Sequence, residues 1–311
     1  MITLEDIYAA EKRISTYLNP TPLLYSHLLE QKLNKKIWLK LESQLPTGSF
    51  KARPAFNNIL MHEKEAKKHG VVAFSAGNFA QAVAYAANLL GLSATIVMRE
   101  NTSPYKIQRT KNLGAEVVLC GNSYEERTET TLGIQKETGK ILLEPYNSPE
   151  TIAGDGTLGL ELIKQLGKEL DQCTILVPVS GGGLIAGIAF AVKTLNPTCQ
   201  VIGIQPKANG SLAKSLQAGL CVNVGSFTTI ADVLSLPQMG EQPFEIIKKW
   251  VDDVILVEED EIKTATHYFL EQHKLVVEPS GAVPLAALLS DRVKAEKVIC
   301  VISGGNINIT W

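Results

Sequence analysis

Residues 174–192 read TILVPVSGGGLIAGIAFAV. The stretch is uncharged and long enough to suggest a membrane span. Pro178 and three glycines, Gly181, Gly182 and Gly183, interrupt it, whereas a spanning helix needs about 20 predominantly apolar residues in a row. It reads better as a buried strand ending at Val179, a tight turn, and a buried helix from Gly183.

The same unit recurs on both sides. Strands are predicted at 36–41, 71–74, 94–98, 116–119, 174–179, 200–205, 254–257 and 297–303. Helices are predicted near 79–90, 104–113, 124–138, 157–166, 183–195, 260–273 and 281–289. Ahead of them Thr3 can cap a helix carrying Ile7, Ala10, Ile14 and Leu18 on one face, which Pro20 and Pro22 end. Strands alternating with helices imply parallel sheet covered on both faces. The stretch near 144–149 separates two groups of strands. The expected fold class is therefore α/β, as two three-layer α/β domains with mainly parallel sheets and a cleft between them. The larger domain would hold 1–52 and 144–311, the smaller 53–143. Residues 225–240 are the least regular and suit an active-site loop.

Composition excludes several classes. A net charge of -2 without long blocks of either sign gives no basic stripe for nucleic acid. The cysteines Cys120, Cys173, Cys199, Cys221 and Cys300 are odd in number and far apart, with no CxxC pair. That argues against a disulfide framework or a zinc site and fits a reducing cytoplasm. The amino-terminal MITLEDIYAAEKR has acids where a signal peptide has bases. Neither a membrane nor a nucleic acid is expected as a partner.

Four short motifs carry chemistry. In Thr47-Gly48-Ser49-Phe50-Lys51-Ala52-Arg53 a lysine follows a tight turn at a predicted helix start. A helix terminus and a dry pocket favour its neutral, nucleophilic amine, although a lone lysine after a loop is more often just a surface group. Ser180-Gly181-Gly182-Gly183-Leu184 follows an apolar strand, so backbone N–H groups and a helix start can close around a phosphate. It lacks GxGxxG and the P-loop lysine; a dianionic monophosphate fits better than a dinucleotide. Ser75-Ala76-Gly77-Asn78-Phe79 could hold a carboxylate or a phenolic oxygen, or merely cap a helix. Ser303-Gly304-Gly305-Asn306 offers a hydroxyl to a neutral ring nitrogen, or is only a turn.

In this order the motifs resemble the second fold type of pyridoxal-phosphate enzymes, specifically the serine and threonine dehydratase and serine racemase family. The resemblance spans nearly the whole chain: TGSFKAR at 47–53, SAGNFAQA at 75–82, LGAEVV at 113–118, IAGDGTLGLE at 152–161, PVSGGGLIAGI at 178–188, TIAD at 229–232, VVEPSGA at 276–282 and SGGN at 303–306. It implies pyridoxal 5'-phosphate as cofactor, with Lys51 as the Schiff-base lysine and catalytic base. Phe50 and Lys51 would line the cofactor, and Gly181, Gly182, Gly183 and Leu184 would cradle its phosphate. Asn78 would meet its 3-oxygen and Ser303 its ring nitrogen. Ser75, Ala76, Gly77 and Phe79 would line the substrate. A small amino acid is the implied partner and a homodimer or homotetramer the implied assembly.

Within the family the implied activity is an ammonia-lyase (dehydratase) that converts a 3-hydroxy amino acid such as L-threonine or L-serine to a 2-oxo acid and ammonia. Ala76 stands where serine racemases carry the serine that protonates the opposite face. Other readings are a racemase, a β-replacement enzyme, or a non-catalytic ligand-binding protein on the same fold. Phe79 stands where a histidine is usual, Ala82 where glycine is common, and Pro54 where glycine follows the arginine. Gln205 and Ser211 replace the acids of the family's divalent-cation site, so no such metal is expected. Glu278 could lie near the cofactor or simply cap a helix. The chain ends at Trp311, so no regulatory domain is expected.

Overall fold

The computed structural model describes residues 2–308; Trp311, on which the expectation about a regulatory domain rests, lies outside them. The strands are β1 (Leu23–Tyr25), β2 (Lys36–Leu41), β3 (Val71–Phe74), β4 (Ala94–Arg99), β5 (Glu116–Cys120), β6 (Ile141–Leu143), β7 (Thr174–Pro178), β8 (Gln200–Pro206), β9 (Asp253–Val257) and β10 (Lys297–Ile302). They form a six-stranded sheet in the order β1-β2-β10-β7-β8-β9 and a four-stranded sheet in the order β5-β4-β3-β6. Every pairing is parallel except β1 with β2.

The chain leaves the larger sheet after β2, builds the smaller one, and returns at β7. Its last strand, β10, slots between β2 and β7, with Cys300 opposite both Leu39 and Leu176. Three loops distant in sequence therefore emerge side by side at the carboxyl ends of adjacent strands, where open α/β sheets bind ligands. β7 is buried at every residue, as a central parallel strand covered by helices should be. One apolar cluster underlies the helices Leu4–Ile14, Pro149–Leu166 and Gly183–Leu195, and another lies under Glu259–Tyr268 and Pro279–Leu289. A third fills the space between the smaller sheet and the helices Ala52–Met61 and Asn78–Leu89.

The stretch 174–192 is a strand, a turn and a helix, as its glycines predict, and no helix among the described residues is long and apolar enough to cross a membrane. The helix expected from 157 instead starts at Pro149, with Ser148 as its cap. Gly154 and Gly156 lie inside this helix as contact points. A Cβ on Gly154 would stand 2.7 Å from the Pro54 backbone, and one on Gly187 would stand 2.9 Å from the Gly156 Cα. Close helix crossings, not turns, require these glycines. The short strands β1 and β6 and the helices Ser211–Ala218 and Glu241–Trp250 add to the predicted elements, and the helix predicted to start at Lys51 runs over Ala52–Met61. Pro54 sits in the first turn of Ala52–Met61, where proline is tolerated.

Candidate active site

The loop that carries Lys51 is zipped to the loop after β10. Ser49 and Gly304 form an isolated antiparallel bridge, the Phe50 amide donates to the Ser303 carbonyl at 3.0 Å, and the Gly305 amide donates to the Gly48 carbonyl at 2.9 Å. Gly48 turns the chain with φ +71, a left-handed conformation that favours glycine. Lys51 then caps Ala52–Met61. Its Nζ donates to the Pro145 carbonyl at 2.6 Å and lies 4.7 Å from the Phe50 ring centroid and 5.7 Å from that of Phe79. Burial lowers its pKa, with Asp155 pulling the other way. The neutral amine needed for attack on an aldehyde is thereby favoured.

Gly182 (φ +95) caps the helix Gly183–Leu195 in the left-handed region. A Cβ on Gly183 would stand 2.8 Å from Asp155 Oδ2 and 3.2 Å from the Tyr146 carbonyl. One on Gly181 would strike the Tyr146 ring. Only bare backbone fits, and the first amides of a helix have no partner within it. The buried Ser180 Oγ also lacks a hydrogen-bond partner. Unspent donors around a side-chain-free turn suit a phosphate monoester, so these residues fit the anionic tail of pyridoxal phosphate.

The Ser75–Asn78 turn faces them from the end of β3. Ser75 Oγ accepts from the Gly77 amide at 3.2 Å, and Asn78 begins a helix. The Asn78 side chain donates to Glu278 Oε1 at 2.7 Å and accepts from Asn306 Nδ2 at 2.9 Å. Glu278 is thus both a cap of Pro279–Leu289 and a buried neighbour of the site, and burial pushes its carboxyl up to about 8. Ser303 is buried at the same edge.

One cavity of about 810 Å³ unites these parts. Phe50, Lys51, Ser75, Ala76, Gly77, Asn78, Phe79, Gly181, Gly182, Gly183, Leu184 and Ser303 all line it. So do 232–240, the later part of the predicted loop, in which a single 3-10 turn forms at Asp232–Leu234, and Glu241 after it. At the mouth Lys106, which follows β4, pairs with Asp232, which follows β8, and ties the two sheets' loops together. Gln205 and Ser211 hydrogen-bond each other at 3.2 Å, and Gln205 Oε1 accepts from the Leu212 amide, so both are spent internally.

Sequence reasoning missed Tyr146 and Asp155. Tyr146 carries no local signal, because only the topology brings it to the cleft, whereas Met239 lies in the predicted 225–240 loop. Asp155 had a local signal: a lone acid between two glycines in an otherwise uncharged stretch, IAGDGTLGL. It is fully buried, both carboxylate oxygens lack partners, and burial raises its pKa to about 7 against the pull of Lys51 and Arg53.

Known proteins share the sequence and fold of this chain along nearly its whole length. The family model described as pyridoxal-phosphate dependent enzyme matches residues 14–304. An L-threonine ammonia-lyase of Thermotoga maritima is 45% identical over 310 residues, covering 99% of this chain and 77% of that protein. The solved threonine deaminase of T.th. superposes with a TM-score of 0.94 at 41% identity, covering 99% of both chains. Maize serine racemase also gives 0.94, at 38% identity, covering 99% of this chain and 94% of that one.

Proposed function

The chain belongs to the pyridoxal-phosphate dependent enzymes, in their serine and threonine dehydratase branch, and on that premise we propose that it is an ammonia-lyase acting on L-threonine or a similar 3-hydroxy amino acid. The products are a 2-oxo acid and ammonia. One observation carries this reading: Lys51, the glycine turn and the Ser75–Asn78 turn line a single cavity.

Lys51 would hold the cofactor covalently through Nζ, against the Phe50 ring. Gly181–Leu184 would hold its phosphate, Asn78 its 3-oxygen and Ser303 its ring nitrogen. Bound there, pyridoxal phosphate supplies an electron sink next to the substrate Cα.

The chain's own groups do the rest. Ser75 and the amides at the start of Asn78–Leu89 hold the substrate carboxylate and orient the Cα–H bond toward Lys51. The Lys51 amine, kept neutral by burial, accepts that proton. A hydroxyl at Ser303 would leave the ring nitrogen without a proton and so moderate that sink, which suits loss of the β-hydroxyl as water. Phe79 keeps water from this wall. Ala76 has no proton to return to the opposite face, which favours elimination over racemisation. The maize serine racemase likeness makes racemisation the reading to test against.

The domain division at 52/53 and 143/144, a homodimeric or homotetrameric assembly and a cytoplasmic location belong to the same proposal. The deciding experiment measures 2-oxo acid release over a panel of hydroxy amino acids, with serine racemisation followed in parallel. Racemisation as fast as pyruvate formation would overturn the choice of reaction.

A further inference from the structure

Asp155 sits where the helices carrying the two halves of the site cross. The helix Pro149–Leu166 presents it fully buried, with neither carboxylate oxygen hydrogen-bonded, and Oδ2 lies against Gly183 on the side where a Cβ would project. A buried carboxylate without a donor is costly, and proteins avoid it unless the group stays neutral or awaits a partner.

We propose that Asp155 is a positioning acid for the cofactor phosphate: it keeps a proton in the loaded enzyme and shares it with the anion seated on the glycine turn. The inference rests on the reading of Gly181–Leu184 as the phosphate cradle.

The surroundings favour this state. The Ala52–Met61 side contributes Lys51 and Arg53, with Glu42 behind them. Arg53 is already engaged with both Glu42 and Glu161, and Lys51 is spent once it carries the cofactor. Residues 183–192 of the next helix, GLIAGIAFAV, carry no charge. The helix Leu4–Ile14 brings Ile7 to Gly156, while its Glu11 and Arg13 are occupied by Lys164 and Asn57. No free cation is left among these to balance an ionised Asp155 beside a dianion. Ionisation would set two like charges against each other in an apolar crossing, so a docking phosphate draws a proton onto the carboxyl.

The test uses the full chain, stripped of cofactor and reloaded with pyridoxal phosphate. Proton uptake is measured by titration calorimetry in buffers of different ionisation heat, and the dissociation constant by visible absorbance. Near pH 8 the wild type should take up close to one proton more than Asp155→Asn, and its affinity relative to that variant should fall up to about tenfold per pH unit, as one linked proton requires. Equal uptake and parallel pH profiles would overturn the proposal, as would an affinity lost equally at every pH. Infrared difference spectra of wild-type protein labelled at aspartate keep the test independent of the variant. A protonated carboxyl must appear on loading at alkaline pH, and its absence also overturns the proposal. If the phosphate cradle is misassigned, pyridoxal and pyridoxal phosphate bind alike; if only Asp155 is, the phosphate still strengthens binding.

Discussion

Two lysines stand on either side of the Glu42–Gln44 turn, and the difference between them separates frame from site. Lys40 is completely buried, and its Nζ donates to Glu161, to the Thr21 carbonyl at 2.9 Å and to Gln165 at 2.8 Å. Arg53 completes that cluster with bonds to Glu42 at 2.7 and 2.8 Å and to Glu161 at 2.7 Å. Two cations face two carboxylates, and each is matched. Lys51 faces the cavity with one carbonyl acceptor, and the buried acid that acts on it, Asp155, has no hydrogen-bond partner of its own. Matched buried charges fix architecture, whereas unmatched ones mark where a ligand completes the count. The matched cluster also serves the unmatched group, because Arg53 anchors the first turn of the helix that Lys51 caps.

The largest expected effect lies at Lys51. Lys51→Ala should cut 2-oxo acid release by about 10³-fold or more, since both the covalent anchor and the base are lost. The stability of the cofactor-free protein should change little, because one hydrogen bond is worth about 1 kcal/mol. Steady-state assays and urea titrations read the two quantities separately. A variant that keeps full turnover would remove Lys51 from the chemistry.

Lys40→Ala should reverse the pattern. Removing Lys40 leaves Arg53 as the one cation of the cluster facing both Glu42 and Glu161, and this buried excess of negative charge should cost about 3–5 kcal/mol, seen as a lower urea midpoint. The fraction that stays folded should bind pyridoxal phosphate almost normally. If Lys40→Ala weakened cofactor binding without lowering stability, the distinction between frame and site would be broken.

A smaller effect is expected from pH. Burial raises the Glu278 carboxyl from 4.5 to about 8. Between those values the folded state holds a proton that the unfolded state has released. Stability is therefore greatest below the lower value and falls as pH rises, by up to about 1.4 kcal/mol per unit, levelling off above the higher one. Asp155 contributes with the same sign up to about 7. Glu278→Gln should flatten part of that slope in urea titrations of the cofactor-free protein. An unchanged slope would mean that Glu278 is ionised throughout, supported by Asn78.

The frame and the site were not equally legible in the sequence. Strand–helix alternation identified the parallel sheets, because a buried strand such as Ile175-Leu176-Val177 has no other use for an unbroken apolar run. The motifs were legible because they lie in loops, where particular residue types meet local conformational demands: Gly48 and Gly182 take left-handed φ values. What stayed hidden depends on meetings across long sequence separations. Glu161 joins Lys40 from 121 residues away and Glu278 joins Asn78 from 200. No local pattern separates such an acid from a helix cap or a solvated face. Gly154 and Gly156 are equally silent, since a glycine needed for a close crossing looks the same as one that ends a helix.

The smallest effect, and the one that refines the site side of the comparison, is expected at Ala76. Its methyl lines the cavity wall formed by the Ser75–Asn78 turn, between the hydroxyl of Ser75 and the bare Gly77. A group that returns a proton to the substrate Cα must sit across from Lys51 and carry an exchangeable hydrogen; alanine has none. Ala76→Ser adds one oxygen at a cavity surface, where the added volume has room. D-serine should then form from L-serine on the order of 10²-fold above the wild-type background, the lower end of what a placed acid contributes. Pyruvate release should fall by less than about tenfold, because Lys51 and the phosphate cradle are untouched. Chiral chromatography of the reaction mixture reads both products at once. If the variant yields no D-serine while the wild type already does, the proton returns from a group other than position 76, and Ala76 does not decide the reaction.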